Sequence, residues 1–319
     1  MTFLDFLDVR FGFSAEKIPG KGEDSWCHSF HENAGIMGVF DGCGGLGAAS
    51  YSRISGKTGA YLASRAAAKA VMDWFSRSSE TGNFDPEALH GNLMESLEVC
   101  VRAAGTVQSK FRGSMVRLMP STCSVWLMEP EGEKLKVTSI NAGDSRNYIL
   151  CDRGLYQISV DDLHGEDAMS NLYNDGAMTN VISADGNFTL GVECLSLDAA
   201  GSPCILLSAT DGCFGYLRSP MEFEFLLLDT LMHASSVDMW QASLMEVIGT
   251  IAGDDQSLAA AAFGFGTFEN MQRILAPRHR ALQEMLSPLG DSTEKRWELW
   301  EIYKHNYYRL TEGGAPNRG

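Results

Sequence analysis

Carboxylates stand at the ends of apolar runs in this sequence. Residues 35–40 are apolar or glycine and run into Asp41-Gly42-Cys43-Gly44-Gly45. Residues 204–210 run into Asp211-Gly212-Cys213, and Gly253-Asp254-Asp255-Gln256-Ser257 opens the apolar run 258–263. Glu23-Asp24 precedes the first run, and Gly143-Asp144-Ser145-Arg146 lies mid-chain. Acids at strand ends, remote in sequence, can converge at one edge of a sheet. Such a cluster repels itself unless hard cations neutralise it. The chemistry this points to is a divalent metal site.

Each piece has a plainer reading. Asp-Gly is a common turn, and Asp175-Gly176 and Asp185-Gly186 read as turns only. Asp41-Gly42 and Asp211-Gly212 differ because each follows a run that looks buried. A glycine at 42 lets a backbone carbonyl approach an ion closely.

The elements that must position these acids are legible from periodicity. Residues 8–13 alternate, and 35–40 read as a buried strand. Residues 48–75 are Ala-rich with a helical apolar face, and Asp85-Pro86-Glu87 opens a second helix running to about residue 110. Strands are predicted over 123–128, 134–142, 147–151 and 155–158, with turns at Glu131-Gly132 and Asp152-Arg153-Gly154. Residues 161–185 read as polar and irregular, followed by a strand at 205–210, helices at 220–233 and 237–252, and a strand at 258–264. Two further helices, 271–286 and 291–310, are broken at Pro288-Leu289-Gly290. Strands in hairpin order with helices in pairs give an α+β class: two antiparallel sheets packed as a sandwich, flanked by helix pairs, with a C-terminal helical extension. The expected division is 1–268 for the main domain and 269–319 for the extension.

Composition limits the partners. The net charge of −16 over 319 residues disfavours nucleic acid and anionic membrane surfaces. A negative protein handles phosphorylated substrates when metal ions supply local positive charge. The eight cysteines include no Cys-x-x-Cys pair, which suits reduced thiols and a cytoplasmic location. The first residues lack the basic start and apolar stretch of a signal peptide. The tail beyond residue 270 carries eight Lys/Arg against six Asp/Glu. Its Trp297, Trp300, Lys304 and Tyr307, beside Tyr303 and Tyr308, fall at helical spacing. The stripe suits either packing on its own domain or docking of a partner such as a cognate Ser/Thr kinase.

Taken together, Glu-Asp, Asp-Gly-x-Gly-Gly, Gly-Asp-Ser-Arg, Asp-Gly and Asp-Asp-x-Ser, in this order across roughly residues 8–268, resemble the metal-dependent Ser/Thr protein phosphatases (type 2C, or PPM). Ser121-Thr122 and Val160-Asp161-Asp162 are minor matches. The resemblance implies a signalling hydrolase of bacterial type acting on phosphoserine and phosphothreonine in proteins, with two Mg²⁺ or Mn²⁺ ions. Asp41 would bridge both, Glu23 and the Gly42 carbonyl would hold one, and Asp211 and Asp254 the other. Asp24 would order metal-bound water. Ions about 3.5–4 Å apart clamp a phosphoryl oxygen and acidify a water that attacks phosphorus, with no covalent intermediate. Asp144 belongs to a weaker third site in the family, whose other acid is Gly215 here.

The sequence departs from the family pattern at two further places. Cys43 replaces a His that serves as a general-acid candidate, and Pro19 occupies the position of a phosphate-binding Arg. Lys21, or Lys17, is the candidate replacement, as a point charge without Arg's fork. Cys43 and Cys213 each follow a proposed ligand Asp by two residues, a spacing that suits small fillers or a redox-sensitive pair. His164 reads as a surface residue. The alternatives to a protein phosphatase are an inactive relative that only binds, and a small-molecule phosphatase with the same centre.

Overall fold

The computed structural model describes residues 1–44, 57–104, 118–165, 167–174 and 176–310. Two antiparallel five-stranded sheets face each other. One carries β1 (Leu7–Ala15), β10 (Gln256–Phe263), β9 (Cys204–Ala209), β6 (Arg146–Cys151) and β7 (Gly154–Gln157), in that spatial order. The other carries β2 (Ser25–Phe30), β3 (Gly35–Phe40), β4 (Cys123–Glu131), β5 (Lys134–Ala142) and β8 (Gly191–Leu197).

The continuous apolar runs are explained by strands covered on both faces. In β9 and β10, Cys204, Leu206, Ala259, Ala261 and Phe263 point between the sheets, where they meet Met37, Val39, Trp126 and Met128. The alternate residues Ile205, Leu207, Leu258, Ala260 and Ala262 face outward into a layer of helices. On the far side, Ile36, Phe40, Val125 and Leu127 pack against α1 (Gly59–Thr81) and α2 (Pro86–Ala104). The fold is therefore the α+β sandwich the periodicity predicts.

Helix starts follow local chemistry. Thr58 caps α1 by accepting from the Tyr61 N–H (3.1 Å), and Asp85 accepts from Glu87 N–H (3.0 Å) at the head of α2. Helix α1 extends six residues past the expected end, to Thr81. The predicted helical residues 48–56, the stretch 105–110 and the glycine at 45 lie outside the described residues, as does Asp175.

Two elements depart from expectation. The stretch 161–185 is not wholly irregular, because it holds the short helix α3 (Ala168–Tyr173). Strand β8 has no counterpart in the sequence reading. It is an edge strand with no fully buried position, so its pattern carries little hydrophobic signal.

Helices α4 (Pro220–His233), α5 (Val237–Ile251), α6 (Phe268–Leu286) and α7 (Thr293–Tyr307) cover the outer face of the first sheet. Trp300, Tyr303, Tyr307 and Tyr308 are all buried in that layer, so the aromatic stripe of the tail packs inward. No helix among the described residues is long and apolar enough to cross a membrane.

Candidate metal and phosphate site

Strand ends place the acids. Glu23 and Asp24 precede β2, Asp41 follows β3, Asp144 precedes β6, Asp211 follows β9, and Asp254 and Asp255 precede β10. The registers Ser25 opposite Phe40, Arg146 opposite Ala209 and Leu258 opposite Ala209 bring these termini to one end of the sandwich.

Hydrogen bonds fix the acidic segments. Asp41 N–H donates to Thr122 Oγ1 (2.9 Å), and Asp41 carbonyl accepts from Thr122 N–H (2.8 Å). Thr210 Oγ1 donates to Asp24 Oδ2 (2.8 Å) while accepting from Ser257 N–H (2.9 Å). Thr58 donates its hydroxyl to the Glu23 carboxylate, so the cap of α1 also orients a site residue. Asp255 accepts from the Glu23 N–H (2.6 Å) and the Lys17 N–H (2.7 Å), tying the loop before β2 to the start of β10. Asp254 is exposed and its Oδ1 accepts from Asp255 N–H (2.8 Å).

Gly42 sits where a side chain has no room. A Cβ there would lie 2.5 Å from the Ala60 carbonyl oxygen and 2.8 Å from that of Glu23.

The acids feel one another. Burial, then Asp24, Asp211 and Asp144, push Asp41 well above the carboxylate range. Burial chiefly, with Asp211 adding, raises Asp24 to about 7 against the Thr210 hydrogen bond. Burial, then Asp211 and Asp161, raises Asp144 to about 8, and burial with Asp254 raises Asp211 to about 6. Glu23 is raised by burial, partly offset by Thr58 and reinforced by Asp255 and Asp254.

Asp144 and Arg146 play different parts. Arg146 is buried and forms a forked pair with Asp161, at 2.9 Å from Nε and 2.6 Å from Nη2, while lying 4.2 Å over the Phe214 ring. Asp144 Oδ1 is buried and has no hydrogen-bond partner. A cleft of about 360 Å³ opens beside it, lined by Asp144, Arg146, Asp211, Asn171, Tyr173 and Tyr216.

Several solved structures share this architecture. A bacterial serine phosphatase aligns over 80% of this chain and 98% of its own, at 18% identity and a TM-score of 0.57. Stp1, a Ser/Thr phosphatase of Staphylococcus aureus, aligns over 81% and 97%, at 17% identity and a TM-score of 0.57. The PPM Ser-Thr phosphatase MsPP of Mycobacterium smegmatis, solved with cacodylate, aligns over 80% and 98%, at 13% identity and a TM-score of 0.52. This is the PPM phosphatase fold. No protein-family model matches the sequence, and no curated protein does.

The residues that the resemblance assigns to metal binding fit hard divalent ions. The donors are all oxygen, the carboxyls are destabilised as anions without a counter-charge, and the orphaned Asp144 oxygen awaits a partner. Among the described residues, no three His, Cys, Asp or Glu side chains are gathered tightly enough to ligate an ion by themselves. Mg²⁺ keeps several waters and needs few direct protein ligands, which suits a looser cluster.

The departures from the PPM pattern have structural faces. Gly215 N–H donates to the Asp211 carbonyl (2.6 Å), and a Cβ at 215 would stand 2.9 Å from that oxygen. The position that the resemblance gives to the third-site acid thus holds a glycine in a crowded place. Lys21 is exposed, and so is Lys17, whose ammonium donates to the Ala252 carbonyl. A part-buried cation drawn against the backbone of Glu23 itself is Arg65 of α1, which donates to the carbonyls of Glu23 (3.1 Å) and Gly22 (3.3 Å) and stacks 3.6 Å over Tyr61. Arg65 was hidden in an Ala-rich helix, where one Arg reads as surface. Cys43 and Cys213 sit in surroundings that suit small fillers better than a redox-sensitive pair. Burial first, then the neighbouring acids, holds both thiols well above the ordinary value, and the thiolate is the reactive form. Cys213 Sγ donates to the Ser257 carbonyl (3.2 Å). His164 is exposed, as expected.

A pH dependence follows from these acids. A carboxyl with a raised pKa binds its proton more tightly folded than unfolded. Its stabilising contribution is present below the unfolded value near 3.8 and is lost as pH rises through the folded values of about 6–8. Metal-free protein is therefore expected to melt about 5 °C lower at pH 8 than at pH 5, and millimolar Mn²⁺ should restore the difference at pH 8. Calorimetry of chelated protein checks this; a flat profile would mean that neither burial nor the neighbouring acids raise these carboxyls.

Proposed function

We propose that this chain is a metal-dependent phosphatase that hydrolyses phosphoserine and phosphothreonine in proteins. The observation that carries it is the meeting of acids from five remote segments at one end of a PPM-type sandwich, where burial first and neighbouring acids second raise the proton affinity of Asp24, Asp41 and Asp211. In this reading Asp41, Glu23, the Gly42 carbonyl, Asp211 and Asp254 would hold the two ions, and Asp24 would orient water. Asp144 stands at the edge of a third, incomplete position. Two Mg²⁺ or Mn²⁺ ions bound there would supply positive charge for the phosphoryl oxygens and acidify a water nucleophile.

The chain's own part is to hold the donors in place. Thr58, Thr122 and Thr210 orient Glu23, Asp41 and Asp24 respectively. Arg65 drains charge from the carbonyls of Gly22 and Glu23. Cys43, kept protonated, is a poor proton donor, so the leaving oxygen takes its proton from water. Lys21, exposed before Glu23, supplies a cation for the substrate phosphate. The cysteines are free thiols, which suits a reducing compartment such as the cytoplasm. A partner kinase, if it docks on α6 and α7, must use faces other than the buried aromatic one.

A binding-only relative is the second reading, favoured by Cys43 and the crowded Gly215. The assay that separates these readings is Mn²⁺-dependent hydrolysis of para-nitrophenyl phosphate and of a phosphothreonine peptide. Turnover of both supports the proposal. Turnover of the small ester alone indicates a small-molecule phosphatase, and turnover of neither by folded, metal-loaded protein indicates the binding-only relative.

A further inference from the structure

Helix α3 stands between the C-terminal helix and the acidic cleft. Its inner residues Ala168 and Met169 are buried in the aromatic layer that includes Trp300, Tyr303, Tyr307 and Tyr308. Ala168 N–H, one of the helix's orphan donors, donates to Tyr308 Oη (2.7 Å). The cap residue Asp167 accepts from Ser170 N–H through Oδ1 (2.9 Å) and from the Trp300 indole through Oδ2 (2.9 Å). The Tyr173 and Trp297 rings lie 5.8 Å apart.

The opposite side of α3 serves the cleft. Asn171 Nδ2 donates to Asp161 Oδ2 (2.7 Å), and Asn171, Leu172 and Tyr173 share the cleft wall with Asp144 and Asp211. Six residues are too few for a helix to stand on its own propensity. Its order must come from tertiary contacts, and those at its N-terminus come from α7 and the turn that follows it, 133 and 140 residues away in sequence.

We propose that α7 braces α3, with Trp300 and Tyr308 as positioning residues that set the affinity for the polypeptide flanking the phosphorylated side chain. This rests on the phosphatase reading. Neither residue lines the acidic cleft, so neither is catalytic. When α3 loosens, Asp161 keeps Arg146 and the Gln157 amide (2.9 Å), so the acids beneath stay in place. A substrate as small as para-nitrophenyl phosphate needs only those acids, whereas a peptide also meets α3.

The test uses full-length, Mn²⁺-loaded Tyr308→Phe, which keeps the ring and removes only the hydroxyl, with Trp300→Phe as the second variant, which removes the indole N–H together with part of the buried ring. Loss of one buried hydrogen bond should raise KM for the phosphothreonine peptide about tenfold and leave kcat within about twofold. The constants for para-nitrophenyl phosphate should not move. Amide exchange over 168–173 should speed up by about tenfold, because the helix opens more often. Ile302→Ala, on the exposed face of α7, should change none of these. Unchanged exchange over 168–173, or a parallel loss on both substrates, would overturn the brace. If the wild-type protein hydrolyses neither substrate, the phosphatase reading fails, and the exchange rates still decide whether α7 holds α3.

Discussion

Replacing Asp41 by Asn is expected to lower kcat for para-nitrophenyl phosphate by about a thousandfold or more, the loss that follows when a charge-stabilising centre cannot assemble. Burial, then Asp24, Asp211 and Asp144, push the Asp41 carboxyl well above the carboxylate range. Removing its charge removes the donor central to the proposed pair of ions. The same change relieves repulsion in the metal-free protein. Its melting temperature at pH 8 should rise by about 3 °C relative to wild type, and Mn²⁺ should no longer raise it further. Function and stability thus move in opposite directions. Activity and calorimetry on the same preparation decide the matter. Retained turnover would remove Asp41 from the chemistry, and a lowered melting temperature would show that its carboxylate stabilises the folded state.

The largest effect on stability is expected at Glu224, far from the cleft. Its side chain is fully buried on α4. It accepts from Arg278 Nε (2.6 Å) and Nη2 (2.8 Å) on α6, and from the Tyr303 hydroxyl on α7. One carboxylate therefore joins three helices. Glu224→Ala leaves a guanidinium and a phenol without their acceptor and should cost about 3–5 kcal/mol. Exposed pairs behave differently. Lys69 and Asp73 on α1 are both more than half exposed, and Asp73→Ala should change stability by no more than about 0.5 kcal/mol. Denaturant unfolding of both variants checks the contrast. A joint Glu224→Leu, Arg278→Met, Tyr303→Phe variant should recover most of the loss, because the penalty lies in the stranded charge. Equal small effects at both positions would mean that water reaches Glu224.

The sequence by itself determined the layers and the address of the acids. Runs such as 35–40 and 204–209 are apolar at every position, and strands covered on both faces require that. An Asp after each run falls at a strand end without further information. Order along the chain then sufficed for the resemblance to the PPM phosphatases. One helix start was legible as well, since Asp85 caps α2 within two residues of itself; the start of α1 at Thr58 was not, because the Ala-rich pattern runs back to residue 48.

Only the tertiary structure decided which groups face one another. Asp24 meets Thr210 across 186 positions, and Glu23 meets Asp255 across 232. Arg65 reads as an ordinary surface arginine until α1 is laid against the loop before β2. Glu224 breaks the apolar pattern of α4, with no local sign of Arg278 or Tyr303 as partners. Helix α3 has only six residues, and the groups that meet its N-terminus, Trp300 and Tyr308, lie 133 and 140 positions away. Periodicity reports which face of an element is buried. It carries no record of what lies opposite, because that is set when remote elements pack and exclude water together.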